Sequence, residues 1–555
     1  MVKQFILALT LFLSVVYSRT VLFKVISFGN KTQLQIVGGK KYNIKPYNSD
    51  PLLCAGKLTN APNKEFQYYY IVDGVKEDFY RTYTIKTNTT YHEFFGRKVT
   101  LKTLKTFKHP STLPNWNRSV GKTNLFDDAY IPTIHFTGNT TEYFFHNPTR
   151  DKVQIENVTF YLKNTKKTFS NIIATAKNRD FSKFQIRMEL NDGGINGRTI
   201  LKLRNGGEDP LNLRQFIYGH IIESIGMPSI KSVMVRVYVN KKPAGFYTLQ
   251  EEAFSESFIK NEFYGNPSTG DINLPKKLGY PIDCEFGSDF EYKPNNATYY
   301  QYFYGSHSRL LPLCKAISEL NPKNESALQT FESQWFDIDT FHKAMAMEYL
   351  TGDWDGYWHT TSNYAIYDDP NQSTKDTFKF YFITQDHDET WGVGLIAPIN
   401  SVGDDFPSQS YTTMLNRQWH IVGRDTDYRT LVDKFIAGSP ALQKRFQNTL
   451  IAIVQTIFNP VAFRSVVESY RERYEPEMEW DFSFERPYNA GKRSGIPIYY
   501  FNHFQENFEK GVGGLHWGIY QWVEQRAEAI KNEFCITWDG DQNPPSKSCT
   551  PTKYF

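Results

Sequence analysis

Residues 341–392 read FHKAMAMEYLTGDWDGYWHTTSNYAIYDDPNQSTKDTFKFYFITQDHDETWG, and the order of their polar and apolar residues decides how the rest of the chain is read. Phe341, Met345 and Tyr349 recur at i, i+4 and i+8, the spacing of one face of an amphipathic helix, and Gly352 supplies a stop. Asp353 and Asp355 follow in a loop. Two runs rich in aromatic and β-branched residues, 363–367 and 378–383, flank the turn-forming DDPNQSTKD, which predicts a β-hairpin. The outer ends of an antiparallel hairpin lie together, opposite the turn. Asp355 and Asn363 are therefore expected to meet Asp386. Asp388 shares a face with Asp386 in an extended chain, while His387 points away. Oxygen ligands gathered in this way suit Mg²⁺ or Mn²⁺, and a further carboxylate beside the metal could orient a hydroxyl for attack on a phosphoryl group. Asp and Asn are also common turn and cap residues, so the constellation carries the reading rather than any one member.

MEYLTGDWDGYW (347–358), SNYAIY (362–367) and QDHDETWG (385–392) resemble the core of the CotH kinase family, atypical kinases named for a bacterial spore-coat protein and also found on fungal cell surfaces. The resemblance covers roughly 153–534. It implies Asp355 as the catalytic acid, Asn363 and Asp386 as holders of the metal with Asp388 beside them, and ATP with Mg²⁺ (or Mn²⁺) as cofactors.

Upstream, KLRNGGEDPLNLR (202–214) begins as a strand in which Lys202 shares a face with Ile200 and Arg204, while Leu201 and Leu203 point the other way. A solvated charged face is the usual source of such a pair. The family's KLRN-type segment implies instead that Lys202 contacts ATP phosphate, with Arg204 next to it. Asp209 reads as the cap of a helix with Pro210 in its first position and an apolar face running to Ile225. Arg214 then falls in the first turn, where the helix dipole disfavours a cation, so a phosphate or carboxylate partner is expected. SVMVRVYVN and GFYTLQEEA read as a hairpin turned by KKPAG. Ordinary protein kinases pair the strand lysine with a helix glutamate. Here that helix offers Arg214 early and Glu223 late, which leaves Glu251 as the substitute. The glycines of DGGINGR (192–198) lack GxGxxG or Walker spacing and read as a hairpin turn.

A chain of 555 residues exceeds one core, and 40% hydrophobic residues can fill two or more. The net charge of +4 is close to balanced and no basic run stands out, which gives no footprint for nucleic acid. Residues 1–18 read as a signal peptide, because their apolar run is about a dozen residues, short of the ~20 of a spanning helix. Eight N-x-S/T sequons, at Asn30, Asn88, Asn117, Asn139, Asn157, Asn296, Asn324 and Asn371, fit a secretory route. The C-terminus lacks the apolar tail of a GPI signal. In an oxidising compartment the five cysteines should largely pair, and Cys535 with Cys549 and Cys284 with Cys314 are the expected bridges, leaving Cys54.

These readings give an α+β protein: signal peptide 1–18, a small β-sandwich over 19–132, an atypical protein-kinase-like domain over 133–540 with a helical C-terminal part, and a tail, 541–555. Residues 265–335 look like an insertion over the site, where substrate choice could lie. The expected activity is transfer of the ATP γ-phosphoryl group to Ser or Thr hydroxyls of secreted or surface proteins, of the spore-coat or cell-wall kind. The alternative is a non-catalytic adhesin or invasin that binds a host or cell-wall ligand. In some fungal members the attachment segment follows DGYW directly. Here that stretch, HTTSNYAIYDDPNQSTK, has Tyr364, Ile366 and Asp368 where small or basic residues would be expected.

Overall fold

The computed structural model describes residues 19–415, 420–421, 424–425 and 429–553, so the signal-peptide reading of 1–18 lies outside the described residues. The chain is mixed α+β and divides into two compact units, one of residues up to 102 with 161–165, the other of 103–160 and 166 onward.

In the first unit β1 (Arg19–Ile26), β2 (Thr32–Ile36), β3 (Lys41–Tyr47), β4 (Asp50–Ala61), β5 (Phe66–Val72), β6 (Val75–Lys76), β7 (Arg81–Tyr83) and β8 (Glu93–Phe94) join one sheet. Its order is β6-β5-β2-β3-β4-β1-β8, with β7 paired to β5. The two-layer sandwich expected from the sequence is therefore corrected to a single curled sheet around Phe23, Leu34, Leu58, Tyr68 and Tyr70. The reason lies in β4, DPLLCAGKLTNA, whose Pro, Gly, Lys and Asn conceal a twelve-residue strand. It pairs with β1 on one side and β3 on the other, so what would be two layers is continuous. Gly56 is needed there, because a Cβ would stand 2.2 Å from Ile44 Cγ2.

The second unit begins with β9 (Thr133–Thr137), β10 (Val153–Tyr161), β11 (Lys166–Lys177), β12 (Gln185–Glu189), β13 (Ile200–Arg204), β14 (Ser232–Val239) and β15 (Lys242–Gln250). They close a barrel in the order β10-β11-β12-β13-β15-β14-β9. DGGINGR is a turn between β12 and β13, where Asn196 and Gly197 both have left-handed φ, 49° and 77°. The hairpin of β14 and β15 turns on Asn240 and Lys241 alone, since Val239 pairs with Lys242; the expected KKPAG turn is thus shorter, and Pro243 to Gly245 belong to the strand.

Residues 265–335 supply β16 (Pro281–Cys284) and β17 (Phe303–Tyr304), which join β18 (Tyr364–Asp368) and β19 (Phe380–Thr384) in a four-stranded sheet of order β17-β16-β18-β19. β18 and β19 are the expected hairpin, with Tyr364 opposite Thr384 and Asp368 opposite Phe380. Every residue of both strands is buried. Tyr364, Ile366, Phe380 and Phe382 pack into the main core, while Ala365, Tyr367, Tyr381 and Ile383 pack into a second cluster with Phe258 and Phe263. Strand alternation thus feeds two cores, which is why the runs are apolar throughout.

The helix before the hairpin spans Ile338–Thr351, capped by Asp337, whose side chain accepts from Thr340 N, and ended by Gly352 at φ 62°. It is not amphipathic as the sequence suggested. Polar residues inside it are buried and bonded: Lys343 Nζ donates to Pro114 O and Gly226 O, each at 2.9 Å, and Glu348 accepts from Tyr357 N at 3.0 Å and Trp358 N at 2.7 Å. The C-terminal part is helical, chiefly Pro440–Thr456, Pro460–Phe482 and Ile519–Phe534. Among the described residues no single helix is long and apolar enough to cross a membrane.

Cys535 and Cys549 form a disulfide with Cα atoms 5.8 Å apart. The second expected bridge is corrected: Cys284 and Cys314 are free and buried, like Cys54. Both lie inside the main core, Cys284 on β16 and Cys314 on the helix Leu310–Glu319, where a small thiol packs as an apolar group. Seven of the eight sequon asparagines are exposed and Asn157 is half-buried, so none is closed to a glycan by burial.

Candidate active site

The outer ends of the β18–β19 hairpin define the site. Gln385 N donates to Asn363 O at 3.1 Å, closing the hairpin one residue beyond β18. Asn363 and Asp386 then leave the two strands with left-handed φ of 53° and 60°. Asn and Asp tolerate that conformation better than other side-chain residues. The Asn363 amide donates to Asp355 O at 3.1 Å and to the Asp355 carboxylate, so these two residues meet as the hairpin geometry requires. Gly356 follows Asp355 because a Cβ there would stand 2.6 Å from the Glu348 carboxyl carbon.

Asp386 and Asp388 point to one face, and both accept from Arg204 Nη2, Asp388 at 2.8 Å. His387 faces the other way. It stacks on Tyr218 with ring centroids 3.7 Å apart, and its Nδ1 lies 3.2 Å from Asp353 Oδ2. Burial holds His387 neutral, pushing its pKa down to about 3. Burial would raise Asp386, but the Arg204 guanidinium holds it below the usual carboxylate range. Asp388 is raised, because burial outweighs the lowering by Arg204, and Asp386 and Glu208 add to the rise. Asp355 is pushed up to about 7 by burial and by the charges of Asp386 and Asp353.

Lys202 and Arg204 project from β13 on one face, as strand alternation requires. Lys202 Nζ pairs with Glu252 Oε1 at 3.2 Å and lies over the Phe254 ring, and its charge reaches Asp386. Arg187, opposite Lys202 on β12, holds both Glu252 oxygens at 2.9 and 3.0 Å. Glu251, the residue expected to take this role, is corrected to Glu252. Successive residues at the end of β15 point to opposite faces. Glu251 is buried against Arg198 Nε at 3.0 Å and accepts from Lys231 N at 3.3 Å.

Arg214 has a carboxylate partner, one of the two kinds expected, but its helix begins later than the sequence suggested. The helix starts at Arg214 and runs to Ser224, four residues later than Pro210. Asp209 accepts from Leu211 N, Leu213 N and Arg214 N and pairs with the Arg214 guanidinium. Arg214 further donates to Thr390 O at 3.1 Å and Asn507 Oδ1 at 2.8 Å, and it is fully buried. Its partner is the carboxylate of Asp209, and it braces the loop after Asp388 instead of facing a ligand.

The sequence reading did not single out Glu208 and Glu389. Glu389 is pushed up to about 11 by burial and then by Glu208, Asp355 and Asp388. Glu389 stands in the quoted DHDETWG and Glu208 in GGEDP, but only the fold shows that they meet. Among the described residues no three His, Cys, Asp or Glu side chains form a ready cage for a metal. The donor set nevertheless fits a hard divalent cation in kind. Asp355, Asn363, Asp386 and Asp388 offer oxygen ligands, and burial with neighbouring carboxylate charge raises Asp355 and Asp388.

A sequence model described as CotH kinase protein matches residues 175–530. Invasin CotH3 of Rhizopus delemar is 28% identical over 574 aligned positions, covering 99% of this chain and 90% of that protein. Invasin CotH2 of the same organism is 29% identical, covering 87% of this chain and 80% of the relative. Spore coat protein homolog 1, also from Rhizopus delemar, is 28% identical, covering 96% and 84%.

Proposed function

The chain belongs to the CotH kinase family, and on that premise we propose that it is a secreted or surface-located atypical kinase, dependent on ATP and Mg²⁺ or Mn²⁺. Its acceptors are Ser or Thr hydroxyls of secreted or surface proteins. The barrel with Lys202 acts as the nucleotide-side lobe of a kinase-like domain, and the hairpin with the helical part as the other. One observation carries the reading: Asn363 bonds Asp355, Asp386 acts on Asp355 from beside them, and Asp386 in turn feels the charge of Lys202, which is itself held by a glutamate.

Asn363, Asp386 and Asp388 would hold the metal, which when bound supplies charge neutralisation at the transferring phosphoryl group. Lys202 orients the phosphates, with Glu252 and Arg187 fixing its side chain. Arg204 keeps Asp386 ionised until the cation arrives. Asp355 orients the acceptor hydroxyl and accepts its proton as the oxygen forms a bond to the γ-phosphorus. The bond from that phosphorus to the β-phosphate bridging oxygen breaks, and ADP leaves.

The second reading, an adhesin or invasin on this scaffold, is supported by relatives that bear the name invasin. A surface location agrees with those names and with the disulfide. Against attachment through the stretch after DGYW, residues 364–368 form buried β18, leaving chiefly the turn around Asn371 to Asp376 exposed. The test is phosphoryl transfer from ATP to a Ser- or Thr-containing acceptor with Mg²⁺ or Mn²⁺, set against the Asp386→Ala chain. Transfer that needs the metal and Asp386 supports the kinase. Ligand binding with neither ATP consumption nor metal dependence supports the adhesin.

A further inference from the structure

The positive charge of the chain is concentrated in the first unit. Residues 19–102 hold eleven lysines and three arginines against three aspartates and three glutamates, a net charge of +8 in a chain whose whole net charge is +4. Folding widens the imbalance at the surface by taking acids inside. Glu77 is buried on Arg81 at 2.6 Å, Glu93 accepts from Tyr68 and Tyr70 at 2.7 and 2.6 Å, and Asp50 is buried as well. Asp73 accepts from the backbone N–H groups of Asn30 and Lys31 at 3.0 and 2.8 Å. Glu65 and Asp78 remain, one before β5 and the other after β6.

The lysines are scattered in sequence, and strand pairing gathers them. Phe23, Ile44 and Leu58 face the core, so Lys24 on β1, Lys41 and Lys45 on β3 and Lys57 on β4 face outward. Lys24 and Lys45 both stand opposite Ala55, one from each side. With adjacent strands about 4.8 Å apart, their Cα atoms are about 10 Å apart across a slot floored by a methyl group. Lys57 lies two residues further along the same face. Lys24 lies over the Tyr47 ring, and among the described residues none of the four forms an ion pair. Beside them Gln33 Nε2 donates to Asn43 Oδ1 at 2.7 Å, which leaves Gln33 Oε1 as an acceptor and Asn43 Nδ2 as a donor.

Unpaired point cations on one face call for a polyanion. The amide pair calls for a partner that both donates and accepts, as a sugar hydroxyl does and a phosphodiester does not. Arginine, the side chain best suited to paired recognition of phosphate, is absent from this face: Arg81 and Arg97 are buried, and Arg19 is bound to Asn88 and Ile85 O. We propose that the outward face of this sheet binds an anionic polysaccharide, with its carboxylate or sulfate groups on the lysines and its ring hydroxyls on Gln33 and Asn43. This does not rest on the phosphoryl-transfer reading.

Binding of the full chain to immobilised alginate, heparin and neutral dextran tests it, in a chelating buffer so that the acids of the second unit take no part. Alginate, heparin or both should bind and dextran should not, and the preferred polymer tells whether carboxylate or sulfate is read. Lys45→Gln with Lys57→Gln should weaken binding about tenfold or more. Lys64→Gln with Lys86→Gln removes the same charge from exposed positions outside the face and should change binding less than about twofold. Asn43→Ala removes no charge and should weaken it about fivefold, the worth of one hydrogen bond. Circular dichroism checks that these exposed substitutions leave the fold intact. An equal loss in the two lysine pairs would reduce the binding to net charge and overturn the face. Failure of both anionic polymers to bind would do the same, as would tighter binding of double-stranded DNA or phosphatidylserine vesicles at the same ionic strength.

Discussion

Arg204 Nη2 donates to Asp388 Oδ2 at 2.8 Å. The same nitrogen reaches Asp386, so one side chain from the barrel neutralises two acids after the hairpin. Removing one partner from a largely buried ion pair costs about 3 kcal/mol, because the remaining charges are left unmatched. Arg204→Ala is therefore expected to melt earlier in the absence of divalent cations. Added Mg²⁺ or Mn²⁺ should raise the melting temperature of Arg204→Ala more than that of the native chain. An equal response in thermal melts of the two would remove the acids from the metal site.

Asp386 and Asp355 should fail in different ways. Asp386→Ala should lose Mg²⁺-dependent nucleotide binding while retaining the fold, as read by calorimetry and circular dichroism. Asp355→Asn should keep ATP and metal yet lose transfer by roughly a hundredfold or more, the usual range for a missing general base. Full activity in Asp355→Asn would pass the role to Asp353, which now pairs with His387.

Adjacent glutamates provide an internal control. Glu252→Gln leaves Lys202 and Arg187 without their shared carboxylate and should raise KM for ATP about tenfold besides lowering the melting temperature. Glu251→Gln strands the buried Arg198 and should destabilise by about 3 kcal/mol without a specific effect on KM. Steady-state kinetics beside thermal melts separates the two, and a KM effect confined to Glu251 would reverse the assignment.

Acid should destabilise the second unit in part through His342, alongside His387. His342 is fully buried, with Nε2 2.6 Å from Phe435 O, and burial pushes its pKa down to about 4. The folded state keeps it neutral while the unfolded chain takes up a proton near pH 6.5. Its contribution is thus complete above that pH and is lost as pH falls toward 4, to about 3 kcal/mol. His342→Gln should flatten this part of the stability curve in denaturant titrations between pH 4 and 7. An unchanged slope would show that another group governs the acid limb.

The hairpin, its register end and the meeting of Asp355 with Asn363 were legible in the sequence, because antiparallel pairing and turn chemistry are local rules. Lys202 and Arg204 on one strand face follow from the same period of two. What the sequence hid were contacts set by the closing of the barrel. The choice of Glu252 over Glu251 depends on where β15 ends, and a one-residue difference exchanges the faces. Arg204 turning to two acids 182 and 184 residues away is a long-range contact with no local signal. The single N-terminal sheet was missed because β4 carries residues that usually end strands. Cys284 and Cys314 flank one insertion in sequence, yet packing in the main core gives each thiol apolar neighbours and not the other sulfur.

The β18–β19 hairpin acts as a party wall between two cores, and its two outermost residues are site residues. Asn363 and Asp386 are consequently located by neighbours that never approach them, since repacking around Phe263 on one side or Phe341 on the other would tilt the same strands. Substitutions deep in either core should therefore surface as altered metal and nucleotide affinity before they surface as unfolding, and a loss of activity on its own would not locate a mutation at the site.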